Sequence, residues 1–321
     1  MNTFGTLIRL STFGESHGKA MGGILDGMPP GVQIDLGVIS RELGRRRPGS
    51  RKDVSQRQEP DEAEILSGLT PDGKTLGTPI GFIVRNRDVK SGDYADMREM
   101  YRPNHADYTY HQKYGITDFT GGGRASARET VSWVVAGSIV RQWLEQQGIR
   151  IKAEYIETNS AAEVANRGDS TGGIVACRIE GMPEGVGEPV FDKLQSRLAA
   201  AMMSINAAKA FEYGDGMQSA YMTGSESLDL FVKDEAGRIV TRSNHSGGIQ
   251  GGISNGMPIE MKIYFKPTPT IPQEIETLDI YGNECLLRAR GRHDPCVAIR
   301  AVPVVEAMAA LVIGDLLLIR N

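Results

Sequence analysis

Cysteine is scarce: Cys177, Cys285 and Cys296 are the only three in 321 residues, far apart and in no CxxC pair. Neither a disulfide framework nor a zinc site is indicated, and a reducing compartment fits best. Excess basic charge is also missing. Thirty-six Lys and Arg against 40 Asp and Glu leave a net charge of −4, which excludes a general nucleic-acid or membrane surface. No basic N-terminal region runs into an apolar stretch, so no secretory signal is expected. The one long apolar run, Val302 to Ile319, is interrupted by Glu306, Gly314 and Asp315, which predicts a buried helix rather than a membrane span. No GxGxxG follows a predicted strand, so the common dinucleotide fingerprint is absent.

Glycine, at 39 residues, is abundant, and it concentrates beside chemistry. The stretch Tyr101 to Thr130 reads YRPNHADYTYHQKYGITDFTGGGRASARET. His105 follows an Arg-Pro-Asn turn, and Gly121 to Gly123 allow close backbone approach to a ligand. Arg124, Ser126 and Arg128 then lead into a helix predicted over Glu129 to Gln147, whose first amides favour an anion. A second cluster, GESHG, places Ser16 and His17 among small residues, leaving an imidazole accessible for acid–base work. Seven basic residues crowd Arg41 to Arg57, among them Arg41, Arg45, Arg46 and Arg51. Guanidiniums bind phosphates and carboxylates in bidentate fashion. A small polyanionic substrate is the expected partner; the alternative is a non-catalytic polyanion- or RNA-binding module, though the run has no interleaved aromatics to stack bases.

Hydrophobic periodicity predicts strands over Thr6–Thr12, Val32–Leu36, Pro79–Arg85, Ile174–Ile179 and Pro258–Phe265, and a hairpin through 228–242. Helices are expected over Gly37–Gly44 and Glu59–Gly68, and from Gly187-Glu188-Pro189 through Met202. The polar stretch Glu154–Gly173 reads as a loop. Gly22–Pro29 matches Gly251–Pro258 at six of eight positions, and Gly123-Arg124 and Gly291-Arg292 each precede an apolar helix. One domain spanning 1–321 is expected, with related halves at about 1–150 and 174–321. Their glycine loops would converge near a pseudo-twofold axis.

The strings FGESHG, RRRPG, RPNHADYTY, GGGRASARE, MSINAAKAFEYGDG, NHSGGIQGGISNG and GRHDPCVAIRAVP together resemble the chorismate synthase family over Gly5 to Leu318. The resemblance implies an α+β fold, a β-α-β-α sandwich with an internal pseudo-twofold repeat. It implies a cytoplasmic homotetrameric lyase that converts 5-enolpyruvylshikimate 3-phosphate to chorismate and phosphate by anti 1,4-elimination. Reduced FMN is required although no net redox change occurs, and the flavin is reduced either with NADPH or by an external reductase. No nucleic acid, membrane or metal is implied. His17 and His105 match the family's proton-donating histidines, Asp294 the carboxylate that helps remove hydrogen, and Ser16 and Ser126 assisting hydroxyls. The implied flavin contacts are Arg124, Ala125, Ser126, Asn206, Ala207, Gly251, Lys266, Pro267, Thr268, Pro269, Thr270 and Arg292. Arg46 and Arg51, with Arg41 and Arg45, are implied to meet substrate or NADP. Asn104 stands where the family usually has glycine, Ser246 where it often has alanine, and 154–173 is shorter than the family pattern.

Overall fold

The computed structural model describes residues 1–47, 61–86, 99–116, 122–288 and 294–320. The first part of the chain builds a five-stranded antiparallel sheet from β1 (Thr3–Phe4), β2 (Arg9–Gly14), β3 (Ala20–Asp26), β4 (Ala63–Ile65) and β5 (Ile80–Arg85), in the order β1-β2-β3-β5-β4. Helix α1 (Leu36–Arg46) lies between β3 and β4 in the chain. After α2 (Asp107–Tyr114) comes α3 (Thr130–Gln146). The second part contributes β6 (Arg150–Ile156), α4 (Ala161–Asn166), β7 (Gly173–Glu180), α5 (Leu194–Met203) and β8 (Ala208–Tyr213). Two small hairpins follow, β9 (Phe231–Lys233) with β10 (Ile239–Thr241) and β11 (Ile249–Gln250) with β12 (Ile253–Ser254). Then come β13 (Ile259–Phe265), the hairpin of β14 (Glu274–Leu278) and β15 (Glu284–Arg288), and α6 (Ala298–Arg320). β6, β7, β13 and β8 form a second antiparallel sheet in that order.

Helix α3 lies on the first sheet, α6 on the second, and the two helices pack on each other. The result is the expected α+β sandwich. A side-chain stub on Gly137 would stand 2.4 Å from Ala307, so the crossing requires a residue without Cβ. One continuous apolar core joins the inner faces of both sheets to these helices. α6 is long and apolar enough to cross a membrane, with a mean hydropathy of 2.2, yet 89% of that window is buried within the protein. It is the core helix that the charges inside the run predict.

Two buried carboxylates on α6 explain those charges. Asp315 accepts from the backbone N–H groups of Thr6, Leu7 and Ile8 and from Arg197. Glu306 accepts from Arg45, Arg141 and the Ala153 N–H. Asp315 ties the central helix to the residues leading into β2, and Glu306 ties it to the middle of β6.

The strand orders β2-β3-β5-β4 and β6-β7-β13-β8 are equivalent. Apart from α2, α4 and the small hairpins, each is built in the chain sequence strand, strand, helix, strand, strand, helix, so α1 corresponds to α5 and α3 to α6. The paired glycine strings do not occupy equivalent places in this repeat. Gly22–Pro29 runs along β3, a central strand, whereas Gly251–Pro258 forms one side of the short β11–β12 hairpin. The register that fits is Gly27-Met28-Pro29-Pro30-Gly31-Val32, leaving β3, against Gly181-Met182-Pro183-Glu184-Gly185-Val186, leaving β7. Gly27 and Gly181 have φ of 86° and 76°, and a Cβ on them would stand 1.9 Å from Leu7 O and 2.2 Å from Gly148 O. Both turns need glycine for the same reason. Of the Gly-Arg pairs, Gly123-Arg124 precedes α3, and Gly291 and Arg292 lie outside the described residues.

Several local expectations are corrected. Val32–Leu36 is not a strand but a segment with one bridge, Gln33 to Lys74. Its alternation arises because Val32 and Ile34 are buried ahead of α1, which Asp35 caps by accepting from Gly37 N–H. The described part of Glu59–Gly68 contains β4 paired with β5 rather than a helix. Glu154–Gly173 completes β6 and carries α4, capped by Ser160. Helix α5 starts at Leu194, not near Pro189, because Asp192 has φ of 56° and Lys193 is extended.

Replacing Asp315 with alanine leaves three backbone donors without their acceptor and Arg197 with only the exposed Asp192 as a carboxylate partner. The expected loss of stability is about 3–5 kcal/mol, measured by urea denaturation; an Asp315→Ala protein as stable as the parent contradicts the anchoring role.

Candidate active site

The loop ahead of α3 is made of two consecutive 3₁₀ turns, Gly123–Ala125 and Ala127–Glu129. Ser126 separates them, its hydroxyl accepting from Arg128 N–H. Arg124 donates to Glu129 at 2.8 Å, to Thr12 Oγ1 at 2.8 Å and to Gly14 O at 3.2 Å, fastening the loop to β2. Burial pushes the Glu129 carboxyl upward, against the pull of Thr12 and Arg124. Asn206, just after α5, donates to Ala125 O at 3.0 Å, and Ala207 O accepts from Lys266 N–H. The flavin-contact residues predicted at 124–126, 206–207 and 266 therefore form one surface.

The segment 266–270 is hooked at both ends to the RPNH turn. Lys266 Nζ donates to Asn104 O at 2.8 Å, and Thr270 Oγ1 lies 2.7 Å from His105 Nε2. Asn104 has φ of 59°, the left-handed region that explains glycine in the family pattern. Desolvation first, then the Arg102 charge, lower the pKa of His105 below the ordinary histidine value. Arg102 does not face outward as an anion ligand: Asp107, which is buried, holds it in a bidentate pair with two contacts of 2.7 Å. Between Lys266 and Thr270 the Thr268 hydroxyl oxygen is buried without a hydrogen-bond partner among the described residues. Pro267 and Pro269 flank it.

A second set of contacts runs from His17 to Asp294. Ser16 Oγ lies 3.1 Å from His17 Nδ1 in the β2–β3 turn. Asn86 donates to Glu15 O and Gly18 O in that turn and accepts from Arg128 Nε at 2.9 Å. Arg128 pairs with Asp61, which also pairs with Arg46 at 3.2 Å. Arg46 donates to Thr130 Oγ1 and Ala127 O, its own carbonyl accepts from Arg300 Nε, and Arg300 pairs with Asp294. Three guanidiniums meet two carboxylates in a buried place. The Arg46 pKa falls to about 9, chiefly through burial and then through repulsion from Arg300.

The Arg41–Arg57 run does not act as one face. Arg46 is only 3% exposed, Arg45 is held by Glu42 and Glu306, and Arg41 is an exposed residue 3.8 Å from Asp35. Arg51, like Arg292, lies outside the described residues. Gly251 stands apart from the other flavin-contact positions. Its neighbour Gly252 adjoins the start of α5, where Leu194 N–H donates to Gly252 O, whereas Asn206 follows the end of α5. Ten helical residues separate those ends by about 15 Å. Asp61, Asn86, Asp107 and Arg300 were not foreseen, because nothing in their local sequence distinguishes them from surface polar residues. Against Arg124 and Ala125 opens a cavity of about 750 Å³ walled by Tyr110, Tyr114 and Trp133, a size typical of small-molecule sites.

The profile of the family described as chorismate synthase matches residues 8–164 and 157–318. The chain belongs to the chorismate synthase family. The chorismate synthase of Bacteroides thetaiotaomicron is 50% identical over 348 residues, covering 98% of this chain and 97% of that protein. That of Synechocystis is 50% identical over 352 residues, with 99% and 97% covered. That of Parabacteroides distasonis is 47% identical over 355 residues, with 100% and 99% covered. A solved structure, "Crystal Structure of Chorismate Synthase", superposes with a TM-score of 0.77 at 29% identity over 98% of this chain and 93% of that one. Membership makes the chain a lyase that forms chorismate and phosphate from 5-enolpyruvylshikimate 3-phosphate, and nothing favours the polyanion- or RNA-binding alternative. The two profile matches overlap at 157–164. There α4 closes the connection between β6 and β7.

Two outcomes check this geometry. Asp61→Ala leaves Arg46 and Arg128 buried together without their shared carboxylate, so stability should fall by about 3–5 kcal/mol in denaturant titration. A depressed His105 pKa means that the unfolded chain binds the proton more readily. Stability from this group is therefore complete above the unfolded histidine value of about 6.5 and is lost as pH falls through it. His105→Gln should flatten that acid slope, and an unchanged slope argues against a buried neutral ring.

Proposed function

We propose that this enzyme carries out the anti 1,4-elimination with reduced FMN held over the 122–126 and 266–270 segments, and that His17, His105 and Asp294 handle the protons. The observation that carries the reading is the continuous set of hydrogen bonds and ion pairs from the His17 turn through Arg128, Asp61, Arg46 and Arg300 to Asp294. The substrate carries a phosphate and two carboxylates, and a site with more guanidiniums than carboxylates offsets their mutual repulsion.

The residues present fit a flavin. The orphaned Thr268 hydroxyl, the Lys266 ammonium and the cavity beside Ala125 offer a donor, a cation and room for a ring system. Reduced FMN, when bound, supplies electron density that helps the phosphate leave, with no net redox change. The chain does the rest. Arg124, Ala125, Ser126, Asn206, Ala207 and Lys266 to Thr270 would hold the group. His17 stands at the end of the arginine path and is assigned to the leaving phosphate, and His105 beside the 266–270 segment to the flavin side. Ser16, at hydrogen-bond distance from the His17 ring, orients it. Asp294, paired with Arg300, acts as the hydrogen-accepting carboxylate. Arg46 contributes charge from beneath the site rather than as an exposed ligand; with Arg51 it is assigned to substrate rather than to NADP.

The proposal extends to a cytoplasmic homotetramer whose flavin arrives reduced from an external reductase. The missing dinucleotide fingerprint supports that source over NADPH.

The test is anaerobic incubation with chemically reduced FMN and 5-enolpyruvylshikimate 3-phosphate. Chorismate and phosphate should appear in equal amounts, and neither should form with oxidised FMN alone. His105→Ala should keep its fold and flavin binding while turnover falls by roughly 10²- to 10⁴-fold; near-normal turnover refutes the acid–base assignment.

A further inference from the structure

We propose that Thr270 is a positioning residue for His105, holding the imidazole in the tautomer that carries its proton on Nδ1 and leaving Nε2 as the atom that exchanges a proton. The inference rests on the acid–base reading of His105, but its geometry can be tested without turnover.

Both ring nitrogens are engaged. Nδ1 lies 3.1 Å from Pro103 O, and Nε2 lies 2.7 Å from Thr270 Oγ1. A carbonyl oxygen can only accept, so the first contact requires a hydrogen on Nδ1. In the neutral ring Nε2 is then a lone pair, and the Thr270 hydroxyl, which can donate or accept, must donate to it. The opposite neutral tautomer would set the Nδ1 lone pair against the Pro103 carbonyl. A free imidazole has no such preference imposed on it; here it comes from one carbonyl on one side and one hydroxyl on the other.

The ring is also prevented from turning away. Lys266 Nζ grips the Asn104 carbonyl at 2.8 Å while Thr270 meets the imidazole, so one five-residue segment clamps the RPNH turn at two points. Arg102, Asp107 and Lys266 are the charged groups around the ring. Burial there favours the neutral form, in which tautomer choice matters. When Nε2 takes up a proton, the hydroxyl can rotate from donating to accepting, so a proton reaches Nε2 either past Thr270 or by displacing it. Whatever moves the 266–270 segment therefore also decides when Nε2 is available.

The experiment uses the full chain without ligands, labelled with ¹⁵N-histidine, with the His105 signals assigned by their loss in His105→Gln. At a pH above the ring's titration, multiple-bond ¹H–¹⁵N spectra should show a protonated Nδ1 and an unprotonated Nε2. Thr270→Val should populate the Nε2-protonated tautomer, and Thr270→Ser should restore the parent pattern, with amide spectra confirming that both remain folded. A parent ring protonated on Nε2, or a Thr270→Val spectrum identical to the parent's, overturns the proposal. In turnover, Thr270→Val should lower kcat by roughly 10- to 100-fold, less than the ~10²- to 10⁴-fold typical of losing the acid–base group itself, with recovery in Thr270→Ser. Full activity in Thr270→Val would equally overturn the positioning role. Full activity in His105→Ala would instead end the acid–base reading while the tautomer result stood on its own.

Discussion

The close crossing of α3 and α6 at Gly137 and Ala307 governs the rest of the molecule. Each helix lines one sheet, so the distance between the sheets is the distance this contact permits. The same crossing places the turns that feed the two helices side by side. Thr130 at the start of α3 and Arg300 at the start of α6 both touch Arg46, which is how two segments 170 residues apart in sequence share one site. Packing and chemistry are thus set by a single helix pair.

Much of the fold was legible where burial imposes a period. α3, β5, β7 and β13 bury long apolar faces, and their patterns predict them within a residue or two; α6, read from Val302, starts four residues earlier at Ala298. β8 carries a mixed exposed and half-buried face with no clean alternation, and β14 alternates only between exposed and half-buried positions, with no fully buried residue to mark it. Val32 and Ile34 mislead in the opposite direction, since a loop pinned beneath a helix can bury alternate residues without pairing. The repeat is present, but the glycine strings paired in the sequence give it the wrong register, because glycine is common enough for unrelated strings to match. The informative string was the shorter one, where the same left-handed turn leaves equivalent strands at Gly27 and Gly181.

The site divides along the same line. Local clusters such as Ser16 with His17, or Arg124 with Ser126, are visible because their members are neighbours in the chain. The partners that decide how the arginines behave are not. Asp61 joins Arg46 and Arg128 only through the pairing of β4 with β5, and Asp107 takes Arg102 out of circulation. A run of basic residues therefore announces a charge without saying whether a carboxylate has already claimed it.

The meeting of two helix starts at Arg46 has a further consequence. The amide dipoles of α3 and α6 both present their positive ends there, adding a field that belongs to the backbone and cannot be removed by replacing a side chain. Anion attraction at this point is redundant by construction, spread over peptide groups that every substitution except proline retains.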